Sequence, residues 1–180
     1  MSKVYTSAVV IIPPEKLWTP IQAIREKYDR NFHRWMPHIT LLYPFCPENE
    51  FNSLESDFKE VCENLKSFEV NLDNFNYFHH KKQQYTLWLE PTPQKLINDL
   101  QKEIQSVTPD CNDVGLFKGG FNAHLSVGQI TGKELLDKTL QNLEHHWKSL
   151  QFIVDKIFII AREQRKNSTF QVKKIIQLLK

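Results

Sequence analysis

The sequence predicts an α+β fold of two pseudo-symmetric lobes, each an antiparallel-rich sheet with helices packed outside, around a central cleft. Three observations carry this. Segments with period-two apolar patterning alternate with segments of helical period along the whole chain. The order strand, helix, strand, helix occurs in both halves. And two tetrapeptides of one type, His38-Ile39-Thr40-Leu41 and His124-Leu125-Ser126-Val127, fall at matching places in that order. The 180 residues suit one domain, 1–180, with the two lobes arising from an apparent internal duplication.

Val4 to Ile12 reads as a first strand, ended by Pro13-Pro14 because proline removes the ladder donor. A helix follows from Pro14 to about Tyr28, with Leu17, Ile21 and Ile24 near helical spacing. Met36 to Tyr43 is the first motif strand, closed by Pro44 and Pro47. Phe51 to Leu65 is amphipathic, its stripe running through Phe51, Leu54, Phe58, Val61, Cys62 and Leu65. Phe68 to Phe78 and Gln84 to Glu90 alternate as strands around the polar turn His79-His80-Lys81-Lys82.

The second half repeats the rhythm. Pro93 to Val107 is a helix with Leu96, Ile97, Leu100 and Ile104 periodic. Thr108 to Gly120, with its proline and three glycines, is a loop. Phe121 to Ile130 is the second motif strand, and Lys133 to about His146 a helix. Phe152 to Ala161 and Phe170 to Leu178 read as closing strands.

With 41% apolar residues, 12% aromatic and a formal charge of +2, the composition is that of an ordinary globular protein. The mild charge does not by itself announce a nucleic-acid binder. Cys46, Cys62 and Cys111 are odd in number and lack CxxC spacing, which suits reduced structural thiols of an intracellular protein. Val9 to Ile12 is too short for a signal peptide's apolar region, and no apolar run reaches membrane-spanning length. A cytoplasmic or nuclear monomer without membrane contact is expected.

The motifs carry the chemistry. In a strand, residues two apart share a face, so His38 stands with Thr40 and His124 with Ser126, while Ile39/Leu41 and Leu125/Val127 turn to the core. A polar face in mid-domain is tolerated only if it lines a cleft or is fully hydrogen-bonded. Two imidazoles can divide the labour of phosphoryl chemistry, one accepting a proton from the nucleophile and the other donating one to the leaving oxygen. Thr40 and Ser126 can donate hydrogen bonds to the non-bridging phosphate oxygens where charge gathers. The arrangement requires no metal and no cofactor. A zinc site would need further ligands, and no cysteine or carboxylate recurs at a suitable offset.

The paired motifs, in lobes of this order, resemble the two-histidine (2H) phosphoesterase superfamily of 2′,5′-RNA-ligase-like and cyclic phosphodiesterase-like proteins. The resemblance implies His38 and His124 as the acid/base pair and Thr40 and Ser126 as phosphate binders, with Ser126 standing where threonine is commoner. It implies a substrate carrying a nucleotide or RNA 3′-end, a 2′,3′-cyclic phosphate or a 2′,5′-linked oligonucleotide. A non-catalytic nucleotide- or RNA-binding module would use the same cleft.

Four further residues are candidates for substrate contact. Trp35 at the entrance of the first motif strand could stack on a base, and Lys118 in the glycine-containing loop could close over a phosphate. Tyr43 and Phe121 flank the motifs, but alternation places them among the core-facing residues. His33, His79, His80, His145 and His146 lack the motif context. Arg162, Arg165, Lys166, Lys173 and Lys174 make the C-terminal hairpin basic, a solvated face unless it borders the cleft.

Overall fold

The computed structural model describes residues 2–117 and 119–180. It has two four-stranded sheets in which every neighbouring pair is antiparallel. The first sheet has the order β2-β1-β7-β8, formed by β1 (Ser7–Ile11), β2 (Ile39–Leu42), β7 (Lys156–Ala161) and β8 (Gln171–Gln177). The second has the order β5-β4-β3-β6, formed by β3 (Phe68–His80), β4 (Gln84–Thr92), β5 (Leu125–Thr131) and β6 (Leu150–Val154). Each motif strand is thus an edge strand of its own sheet. Among the described residues, four α-helices complete the fold: α1 (Trp18–Tyr28), α2 (Phe51–Cys62), α3 (Gln94–Val107) and α4 (Lys133–His146).

All five residues of β1 are buried, because apolar clusters cover this strand on both sides. Val9 and Ile11 join the main core with Ile39, Leu41, Leu87, Leu89, Leu125 and Val127. Ala8 and Val10 face the other way, into a smaller cluster with Ile160 and Phe170 that Trp35, Met36 and Tyr43 cover. Full burial of an aliphatic side chain such as Ile39 or Leu41, each 0% exposed, is worth about 2 kcal/mol, so the motifs' apolar positions anchor both edge strands. The three cysteines are buried and unbridged.

Several boundaries differ from the sequence reading: β1 starts at Ser7, α1 at Trp18, α2 ends at Cys62, and β3 runs on through His79-His80, read as turn. The run from Phe152 to Ala161 is two strands in different sheets, β6 and β7, parted at Asp155, whose carbonyl accepts the Leu178 N–H. The charged pair Asp155-Lys156 interrupts the apolar run at the point where the chain changes sheets. The motif strands are also shorter than expected, beginning at Ile39 and Leu125, one residue after each histidine. For β5 the reason is local: the Gln94 side chain holds both the N–H and the carbonyl of Ala123, taking the groups a ladder would use. For β2, the partner strand ends at Ile11, just before Pro13-Pro14.

Candidate active site

His38 and His124 are held in the same way. His38 Nδ1 donates to the Met36 carbonyl at 2.7 Å, and His124 Nδ1 to the Asn122 carbonyl at 2.8 Å. A carbonyl only accepts, so each Nδ1 carries the hydrogen and the neutral tautomer has its lone pair on Nε2. Neither Nε2 has a partner among the described residues. Each histidine is half-buried, and the two lie close enough for His124 to act on the charge of His38.

Aromatic rings brace both. Trp35 stacks on His38 with ring centres 4.6 Å apart and 17° from parallel, and on Phe170 at 3.7 Å and 24°. Two near-parallel rings so close must lie on opposite faces of the indole. Arg162 covers the far side of the stack, 5.5 Å from the Phe170 ring centre. His124 makes edge-to-face contacts with Phe78 at 4.9 Å and Trp88 at 5.9 Å between ring centres.

Burial disfavours the imidazolium and pushes His38 down from 6.5 to about 4, against the pull of the Met36 carbonyl. The Arg25 guanidinium and His124 lower it further, and Asp29 offsets part of this. His124 is lowered too, by burial, while the Asn122 carbonyl opposes. Both rings therefore favour the neutral form.

Thr40 pairs in register with Val10, and Ser126 with Trp88, so each hydroxyl stands on its sheet beside its motif histidine. Both residues are half-buried, and neither hydroxyl has a hydrogen-bond partner among the described residues. With two Nε2 atoms and two hydroxyls unengaged, the site can offer acid, base and two donors to an anionic group.

The residues that join the two motifs were not singled out from sequence. Buried Arg25 pairs with Asp29 at 2.8 Å and donates to Gln22 at 2.8 Å and to the Trp35 carbonyl at 3.0 Å. Gln129 of β5 donates to Asp29 at 3.3 Å. The signal was there: an arginine on the apolar stripe of α1, with aspartate four positions on, is costly unless paired.

Tyr43 packs edge-on against Trp35 and Tyr5 and donates to the Tyr5 carbonyl at 3.3 Å. Phe121 packs on the main core. Lys118 lies outside the described residues. His79 stacks on Tyr85, and His80 bonds Thr86 at 2.9 Å, both at the tip of the β3–β4 hairpin. His145 and His146 occupy the last turn of α4, and His33 is exposed beside Phe32. Lys173 and Lys174 are paired with Glu48 and Glu55, leaving Arg162 as the basic side chain that joins the Trp35 stack. Arg165 pairs with Glu163, and Lys166 is exposed. A cavity of about 580 Å³ with walls from both sheets adjoins Met36, lined in part by Ile12, Glu69, Ile153, Phe158 and Val172; neither histidine lines it. Among the described residues no group of three or more His, Cys, Asp or Glu side chains is placed to hold a metal.

The model of the 2′-5′ RNA ligase superfamily matches residues 13–166 of the chain. The chain belongs to this superfamily. Its curated relatives include a protein of Geobacillus kaustophilus, named as a candidate phosphoesterase, 24% identical over 135 residues, covering 72% of each chain. A protein of Bacillus licheniformis with the same kind of name is 24% identical over 153 residues, covering 84% of this chain and 87% of that one. Among solved structures, apo LigT of E. coli aligns with a TM-score of 0.65 at 14% identity, over 99% of this chain and 100% of LigT. TT0787 of Thermus thermophilus aligns at 0.63 and 14% identity, over 96% and 97%. These show the fold, and the superfamily match supports a phosphoesterase of the two-histidine type. No helix among the described residues is long and apolar enough to cross a membrane.

Proposed function

We propose that this superfamily member is a monomeric, metal-independent phosphodiesterase that hydrolyses a 2′,3′-cyclic or 2′-linked phosphodiester of a nucleotide or RNA end. One observation carries the reading: both motif histidines are fixed through Nδ1 to a backbone carbonyl two residues back, which leaves two Nε2 atoms to act on one phosphate. One Nε2 takes a proton from water or a ribose hydroxyl as that oxygen attacks phosphorus. The other gives its proton to the departing oxygen, and exchange with water resets the pair. Both rings are pushed towards the neutral form, so the one that serves as acid takes up its proton when an anionic phosphate sits between them. Thr40 and Ser126 donate to the non-bridging oxygens as charge builds on them. LigT has been solved with phosphate and with 3′-AMP, which is consistent with nucleotide-sized phosphate ligands here. The repeated strand–helix–motif-strand unit, β1-α1-β2 and β4-α3-β5, each ending in a motif strand at a sheet edge, supports the duplication as well.

Turnover in EDTA tests the reading. The panel holds a nucleoside 2′,3′-cyclic phosphate, an ADP-ribose cyclic phosphate, an RNA with a 2′,3′-cyclic end, a 2′,5′-oligoadenylate and a cyclic dinucleotide. Chelator-resistant hydrolysis of a 2′,3′-cyclic or 2′-linked member is the expected result. Nucleotide binding with no turnover of any member would replace it with the binding-module reading.

A further inference from the structure

The motif strands lie in different sheets, so the spacing of the two histidines depends on what joins the sheets. Besides the shared apolar core, the C-terminal end of α1 joins them through directed bonds. This helix leads from β1 to β2 of the first sheet, yet it packs across on β5 of the second. The fit is close at Gly128, where a Cβ would come within 2.4 Å of the Tyr28 Cβ.

A connected set of hydrogen bonds runs through this joint. Gln129 of β5 accepts the Arg30 N–H at 3.1 Å and donates to Asp29 Oδ1 at 3.3 Å. Asp29 Oδ1 also accepts the Asn31 N–H at 2.9 Å, and Oδ2 accepts from Arg25 Nε at 2.9 Å. Arg25 passes on to the carbonyl of Trp35, whose indole covers His38, and the next carbonyl, Met36, holds His38 Nδ1. The chain of contacts thus begins on the strand of His124 and ends at the ring of His38.

The side chains of Arg25 and Asp29 are 2% and 4% exposed. A buried ion pair is weak evidence for stability, because desolvation consumes most of the Coulombic gain and apolar residues of that size would pack as well. Directed bonds, by contrast, fix geometry. We propose that Arg25, Asp29 and Gln129 are positioning residues, holding the His38 ring at its working distance from His124 across the two sheets. This rests on the reading that both rings act on one phosphate.

The test uses Gln129→Ala, which removes the cross-sheet bonds and leaves the buried ion pair intact, and Arg25→Lys, which keeps the charge but loses the fork. Two readouts are taken: kcat and KM on the substrate the panel identifies, and the ring-proton NMR shifts of His38 and His124 titrated with inorganic phosphate. In the parent both rings follow one phosphate curve. In each variant kcat falls on the order of tenfold with KM nearly unchanged, and phosphate binds on the order of tenfold more weakly. Parent-like kcat and phosphate curves in a folded Gln129→Ala protein overturn the inference alone. A parent that binds phosphate through both rings but turns nothing over defeats the hydrolytic reading and leaves the phosphate comparison to decide this one. A parent whose rings bind no phosphate overturns both.

Discussion

The Trp35 indole lies flat on the His38 imidazole, 17° from parallel, and its opposite face is taken by Phe170. A residue whose place at the mouth of a motif strand suggests stacking on a substrate base is therefore engaged on both faces by the protein. Its edge alone is left for a ligand, and its main physical effect is to brace a histidine. Stacked pairs of this kind are worth about 1 kcal/mol beyond their burial.

The split between kcat and KM separates the two roles. Trp35→Leu should lower kcat on the order of tenfold with a smaller change in KM, since the imidazole loses its orientation while the phosphate donors stay. Trp35→Phe should recover part of the loss. A rise in KM with kcat unchanged would show that the indole serves substrate binding instead.

Removing the hydroxyls should affect chemistry far more than folding. Thr40→Val and Ser126→Ala delete donors that satisfy no other group among the described residues, so no buried partner is orphaned. Each variant should melt within a few degrees of the parent and lose on the order of 10- to 10³-fold in kcat. Steady-state kinetics beside thermal melts checks this.

Stability should fall as acid is added. His38 is pushed down from 6.5 to about 4 in the fold, so between those values the unfolded chain binds the proton and the folded one resists it. The unfolded state then holds more protons, and stability drops as pH falls from 6.5 towards 4 and levels off below. The groups facing the ring are Arg25, His124 and Asp29, and His124, also lowered, adds with the same sign. Urea midpoints at several pH values should show this slope in the parent and a shallower one in His38→Asn. Equal slopes would mean that His38 stays as readily protonated in the fold as in the unfolded chain.

Gly128 is the close approach between α1 and β5. Alanine there would drive a methyl group into Tyr28, and overpacking of this kind costs about 1–3 kcal/mol. Gly128→Ala should lower the melting temperature and reduce kcat, because the helix end that carries Arg25 has to shift. Gly115→Ala, where the added Cβ meets nothing, should do neither.

The candidate site was legible because its pattern is local. A motif written twice names His38, Thr40, His124 and Ser126, and period-two alternation correctly sends Ile39, Leu41, Leu125 and Val127 to the core. What joins these residues was not legible, because it depends on contacts distant in sequence. Gln129 of β5 reaches Asp29 at the end of α1 across 100 residues of sequence, and Gln94 of α3 clamps the residue before His124. The change of sheet falls at Asp155-Lys156, a charged pair that breaks the apolar run without saying which sheet each half joins. The double stack on Trp35 needs Phe170, which arrives from the far end of the chain.

The central claim is that His38 and His124 act together on one phosphodiester, and a mutant cycle in EDTA tests it most directly. The parent, His38→Ala, His124→Ala and the double variant are compared on the same substrate, each checked for folding. The account predicts that each single change costs on the order of 10²–10⁴ in kcat and that the double variant is little worse than the poorer single one, as for residues that work as a unit. A folded single variant that retains the parent's rate would contradict it.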